Sequence, residues 1–172
     1  MKALLAAILL ALAMSVHADE LLMVRSTQAF EETMSSLQNA ITRAGYKLSR
    51  VQRVDVGMEG RGYKTDKYRV VFYAKPDEVT QLSAAHPELI PYLPLNIAIF
   101  AEDDNTIVVT SRPGVLAELF PDPALKPIFT RWEKDLRKIL DEVSEEKWRQ
   151  PGIPSVRGLT RMGAKKQGQE KK

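Results

Sequence analysis

The sequence predicts an α+β fold in two layers: a mainly antiparallel sheet with helices packed on one face, in the order β-α-β-β-α-β-β-α. Three observations carry that prediction. Short runs with strand-like apolar character are interleaved with segments whose apolar residues recur at helical spacing. Two neighbouring strand pairs, one joined by a glycine-bearing loop and one by an acidic turn, read as hairpins. A long amphipathic stripe near the C-terminal end requires a flat apolar surface to cover.

The chain opens on a three-part export pattern. Lys2 supplies a positive start, and residues 3–16 are apolar or small with Ser15 as the one polar member. Val16-His17-Ala18 then places small residues at the −3 and −1 positions of a cleavage site. The run falls short of the roughly 20 residues that cross a bilayer. Residues 1–18 are therefore expected to be a signal peptide, cleaved after Ala18, with the periplasm as destination in a Gram-negative host. No cysteine follows the run, which excludes lipoprotein anchoring.

The expected domain occupies residues 19–148. Residues 21–25 (LLMVR) read as a strand, and Ser26 and Thr27 are placed to cap the helix behind it. Phe30, Met34, Leu37, Ile41 and Ala44 recur at helical spacing, with Glu31 and Glu32 at the positive end of the helix dipole. Gly45 is suited to a left-handed close. Residues 47–56 are strand-like but do not alternate cleanly, which predicts an edge strand or a bulge. Gly57, Gly60 and Gly62 predict a plain hairpin loop, because a phosphate cradle needs Lys-Ser/Thr at a helix start.

Residues 67–74 alternate well, with Tyr68, Val70 and Phe72 on one face. Pro76 begins a short helix that carries Asp77 and Glu78 in its first turn. Pro87, Pro91 and Pro94 forbid a long regular element. Residues 95–101 form the most apolar strand, and residues 106–111 return beside it after Asp103-Asp104-Asn105. That turn lacks the alternating ligands and distal Glu of a calcium loop. Leu125, Ile128, Phe129, Trp132, Leu136, Ile139, Leu140 and Val143 then line one face of a long helix.

Composition bounds the chemistry. The absence of cysteine excludes disulfides, thiol catalysis, thiolate zinc and covalent haem. One of the two histidines, His17, falls in the leader, so a mature chain carries His86 alone and holds no multi-histidine metal site. No catalytic residue, metal or cofactor is expected. The net charge of +3 is unevenly placed. Residues 149–172 hold seven Lys/Arg and one Glu, and their glycines and prolines predict a disordered basic tail. Residues 19–148 hold 17 Lys/Arg and 21 Asp/Glu, a balance of −4, which argues against nucleic-acid binding. Within them, residues 43–69 form a local basic excess of eight against three.

The segment from Met23 to Val109 resembles the domain of unknown function 302 family. The resemblance is carried by Val24-Arg25-Ser26 before Phe30-Glu31-Glu32-Thr33, by the glycine-containing loop before Tyr68, and by Phe72 and Pro76. It continues through Pro87-Glu88-Leu89 and Leu93-Pro94 into Ile97-Ala98-Ile99-Phe100. It implies a compact α+β domain, often a dimer, with no established activity. Lys75-Pro76 stands where members often carry Asn-Pro, and Leu95 where some carry Cys, so no thiol function transfers.

Three functional readings follow. The leading one is a non-enzymatic periplasmic binding or accessory module for a small anionic or apolar ligand. It uses an apolar groove flanked by the basic strand pair, with Arg69, Tyr73, Asn96 and Arg112 as candidate contacts. The rival is an enzyme or redox accessory using carboxylates or His86, with Ser83 nearby in sequence. The third is a structural or assembly role through a homodimer, or through weak contact of the tail with an anionic membrane or polysaccharide.

Overall fold

The computed structural model describes residues 20–144. The expected leader, its cleavage site and the basic tail lie outside the described residues. Five strands make one sheet: β1 (Leu21–Ser26), β2 (Lys47–Arg53), β3 (Tyr68–Ala74), β4 (Leu95–Glu102) and β5 (Asn105–Ser111). Their spatial order is β1-β5-β4-β3-β2, and every neighbouring pair is antiparallel. The helices are α1 (Phe30–Arg43), α2 (Val54–Glu59), α3 (Pro76–Ala85), α4 (Leu116–Leu119) and α5 (Lys126–Val143). Single 3-10 segments cover Pro87–Tyr92 and Pro113–Val115. This is the predicted α+β architecture, with short helical pieces added.

Period-two burial fixes which face is which. Leu22, Val24, Val71, Ile97, Ile99 and Val108 are buried on one side of the sheet, and the cross-strand pairs Val24↔Val108, Ile99↔Val108 and Val71↔Ile97 keep them in register. Against them pack Leu37 and Ile41 of α1 and Ile139, Leu140 and Val143 of α5, forming one core. A second core, at the end where β3 leaves the sheet and β4 enters it, gathers Leu82, Leu89, Leu116, Leu125, Phe129 and Trp132. Helix α5 serves both cores along one apolar stripe, because 18 residues rise roughly 27 Å. Glu78 fastens α3 to α5 by accepting from Trp132 Nε1 at 2.7 Å and from Arg131 at 2.6 Å.

The opposite face of the sheet carries Met23, Tyr68, Val70, Phe72, Ala98, Phe100 and Val109, read from the same register. Neither long helix packs on it, and Met23 is exposed.

Three local expectations are corrected. Ser26 does not cap α1: it is still in β1 and buried, where its Oγ accepts from the Gln28 N–H and the Thr33 hydroxyl, both at 3.2 Å. The helix starts at Phe30, after Ala29, with no side-chain cap. Strand β2 ends at Arg53, short of residue 56, and residues 57–62 are not a plain hairpin loop, because the chain coils into α2 first. The physical cause is Asp55, whose buried carboxylate takes the Val56 N–H at 2.8 Å and pairs with Arg69. Residues 113–119, left unassigned by the sequence patterns, form the second 3-10 segment and α4.

Two backbone expectations hold. The irregular spacing of β2 is a register shift between Leu48 and Arg50, on an exposed edge strand. Gly45 takes φ +83° and closes α1, with the Tyr46 N–H reaching Ile41 O at 3.2 Å.

Candidate functional site

A pocket of about 270 Å³ opens at the end of the sheet where β1 begins, β4 begins and β5 ends. Several elements converge there for separate reasons. Pro91 and Pro113 hold their segments in tight 3-10 turns, which bring Tyr92 and Val115 to the rim. Helix α4 follows at once and adds Leu116 and Leu119. Tyr73 and Leu95 come from the paired ends of β3 and β4, and Leu136 from α5. Most of the lining is therefore apolar.

The polar lining is small and mostly engaged. The Thr110 hydroxyl donates to the Asn96 carbonyl at 2.7 Å, and the Arg112 N–H donates to the Glu20 carbonyl at 2.8 Å. Glu20 and Arg112 are the two charged residues of the lining, and their signs are opposite. Beside them the Gly114 N–H donates to Glu133 Oε2 at 3.0 Å, while Glu133 Oε1 accepts from Arg137 at 2.8 Å.

Tyr73 differs from the rest of the lining. It is 1% exposed, and its ring meets Tyr46 edge-to-face at 5.3 Å. The Tyr46 hydroxyl donates to Asp135 Oδ2 at 2.8 Å. Burial first, and then the Asp135 charge, hold the Tyr73 phenol well above the usual tyrosine range. Tyr46 is raised by burial and by its bond to Asp135. Both phenols therefore stay protonated at physiological pH.

Of the four residues singled out from sequence, Tyr73, Asn96 and Arg112 line this one pocket. Arg69 does not. It sits near the far end of β3, pairs with Asp55, and lies over the Phe30 ring at 5.6 Å from the centroid. Burial pushes Asp55 up, but the Arg69 contact and the Val56 N–H outweigh it, so the carboxyl lies below its ordinary range. The basic strand pair does not flank the pocket either. Lys67 is paired with Glu31 at 2.7 Å, while Lys47, Arg50 and Arg53 are exposed along edge strand β2. The pocket residues the sequence patterns missed are those of the 3-10 turns and α4; Pro91 and Pro113 were the available signal.

His86 is not in the pocket lining; its Nδ1 lies 3.2 Å from Glu88 Oε1 in the adjoining turn. Among the described residues no group of three or more His, Cys, Asp or Glu side chains gathers to hold a metal ion. Among them, too, no helix is long and apolar enough to cross a membrane.

The model of the family described as "Domain of unknown function DUF302" matches residues 22–143. A solved structure described as that of an uncharacterized conserved protein DUF302 from Bacillus stearothermophilus superposes with a TM-score of 0.66 at 21% sequence identity. It covers 73% of this chain and 98% of its own. That likeness shows the fold. No curated protein matches the chain.

Proposed function

This chain belongs to the DUF302 family of domains of unknown function, and from that premise we propose that it acts as a non-enzymatic binding module for a small, largely apolar ligand. One observation carries the reading: a pocket of about 270 Å³ whose lining is mainly apolar, with Tyr73, Asn96, Thr110 and Arg112 among its few polar members. Ligand sites have this character, apolar walls with a few placed polar groups, and this one lies just below their usual range of roughly 300–1,000 Å³. The lining side chains are suited to holding a molecule. His86, the candidate for proton transfer, lies outside them.

The export pattern of residues 1–18 supports a periplasmic place of action, with Asp19 as the mature N-terminus. Native mass spectrometry of protein taken from its own host tests both statements. The expected result is a chain beginning at Asp19 with a retained small-molecule adduct, lost when Leu116→Trp fills the pocket. A bare chain, or an adduct indifferent to that substitution, sinks the binding reading; a retained leader sinks the export reading.

The sheet face that neither long helix covers supports a second element of the proposal, a homodimer. Arg25 and Glu102, paired at 2.5 Å, lie on that same face by register, so it carries both signs of charge around Met23, Phe100 and Val109. A two-fold arrangement of identical faces can bring each sign opposite the other while burying the apolar centre.

A further inference from the structure

Strand β2 is an edge of the sheet: β3 lies on one side of it and no strand on the other, so one row of its backbone N–H and C=O groups has no strand to pair with. The register shifts between Leu48 and Arg50, which leaves Arg50–Arg53 as the regular stretch of that row.

Three observations set this edge apart. Lys47, Arg50 and Arg53 are exposed along it, and none of them joins a salt bridge among the described residues. The acids beside them are already engaged: Asp55 pairs with Arg69, and Glu31 bonds Lys67. Next, five of the ten large hydrophobic residues exposed among the described residues fall here: Leu48, Val51, Val56, Met58 and Tyr63. Finally, the edge leads into an open groove of about 340 Å³ where Gln52 and Val54 meet Met58, Arg61 and Tyr63. The Tyr63 N–H donates to the Met58 carbonyl at 3.1 Å, which keeps those two residues together at the end of α2.

From this arrangement we infer that β2 is a docking edge for an acidic, extended peptide segment of another protein. The segment adds as a further strand along Arg50–Arg53, sets its carboxylates against Lys47, Arg50 and Arg53, and places an apolar side chain in the groove beside Met58 and Tyr63. Main-chain pairing then supplies affinity, and the side chains supply specificity. Cations alone would be the ordinary guard of an edge against association. A guard has no use for Leu48 and Val51, which stand exposed between those cations. A second copy fits badly, because two-fold pairing of identical β2 edges sets like charges against each other. A lipid surface fits badly too, because hydrocarbon cannot satisfy the free backbone groups of a strand edge. The surface shares no residue with the pocket and does not depend on it.

The test titrates the purified full-length protein with three capped peptides of about nine residues. The first alternates Glu and Val around a central Leu, the second carries Lys in place of Glu, and the third is the first with its backbone N–H groups methylated. Amide chemical shifts of Val51, Gln52 and Tyr63 report binding. The acidic peptide is expected to bind about tenfold more tightly than either control. The double variant Arg50→Glu, Arg53→Glu is expected to lower its affinity by about tenfold, with circular dichroism showing an unchanged fold. That variant leaves the basic residues of 149–172 in place, so unchanged affinity would assign the binding to them and overturn the inference. Equal binding of the acidic and lysine peptides, or of the free and methylated ones, overturns it as well. Shifts of the same amides with phosphatidylglycerol vesicles and none with peptide, or shifts that follow protein concentration alone, would give the edge to a membrane or to a second copy, and either result refutes the peptide.

Discussion

Tyr46 and Asp135 meet in a 2.8 Å hydrogen bond that ties the residue just after α1 to the middle of α5. The phenol donates, the carboxylate accepts, and the Lys75 ammonium lies 4.7 Å from the centre of the Tyr46 ring. Tyr73 meets the Tyr46 ring edge-to-face, so one small cluster joins α5, the turn after α1 and the pocket-side end of β3.

That cluster predicts an alkaline limit. Both phenols are raised above the ordinary value of about 10. Their contribution is intact below that value and is lost as pH climbs through the folded-state values, because the unfolded chain releases its protons first. Denaturant titrations from pH 8 to 11 are expected to show stability falling above about pH 10, with a shallower fall in Tyr46→Phe. Parallel curves for the two proteins would refute this.

The Asp55–Arg69 pair is largely shielded, with side chains 8% and 12% exposed. Removing one partner strands the other, at a cost of about 3–5 kcal/mol for a buried pair, reduced here by the residual exposure. Arg69→Gln is expected to lower stability by about 2–3 kcal/mol at pH 7. Asp55 is lowered, so its contribution is present above its unfolded value and disappears as pH falls through the folded one. The gap between wild type and Arg69→Gln should therefore narrow below about pH 4; a constant gap in urea melts at pH 7 and pH 3 would contradict the assignment.

Gly114 approaches Glu133 so closely that a Cβ on it would collide with Oε2. The carboxylate is the end of a flexible side chain and can retreat, but only by leaving the Gly114 N–H and straining its bonds to Arg137. Gly114→Ala is expected to cost about 1 kcal/mol, the net value of a hydrogen bond. On a Glu133→Ala background the same change should cost close to nothing. A double-mutant cycle without coupling would show that the crowding lies elsewhere.

Glu78 accepts from both the Trp132 indole and the Arg131 guanidinium, and that guanidinium is held above its usual range by the Glu78 bond. Glu78→Ala leaves the indole N–H of a buried tryptophan without an acceptor, at a cost of about 1–3 kcal/mol. Thermal melts of Glu78→Ala and Glu78→Gln separate the charge from the hydrogen bond. The glutamine variant should recover part of the loss.

The sheet face that neither long helix covers predicts oligomeric state. Phe100→Asp places a charge at its centre, and light scattering is expected to show a dimer for wild type and a monomer for the variant. A wild-type monomer at about 100 μM, a concentration at which a dimer of micromolar Kd is mostly associated, would remove the dimer from the proposal.

Much of the fold was legible in the sequence, because the strands and long helices bury their apolar residues with regular period. Tyr68 to Ala74 and the stripe from Phe129 to Val143 are the clearest cases. What escaped was set by single polar contacts that no periodicity announces. Asp55 turns a strand end into α2, and Ser26, still in β1, takes the Gln28 N–H and the Thr33 hydroxyl and caps nothing. The site was half legible. Tyr73, Asn96 and Arg112 stood out as polar groups on or beside strands, and the sheet end brings them together. Arg69 stood out for the same reason, but an acidic partner 14 positions earlier in the chain claims it. The pocket walls depend on two proline-led turns whose placement is tertiary.

The spatial order of the sheet also bears on how the chain is made. Strand β1 finds its partner only in β5, with Ser26 beside Thr106. A polypeptide emerging N-terminus first must carry LLMVRS unpaired until most of the domain has followed. Such distant pairing slows folding, and an apolar strand left waiting invites association with other nascent chains. The burden of that wait falls on the earliest residues of the domain.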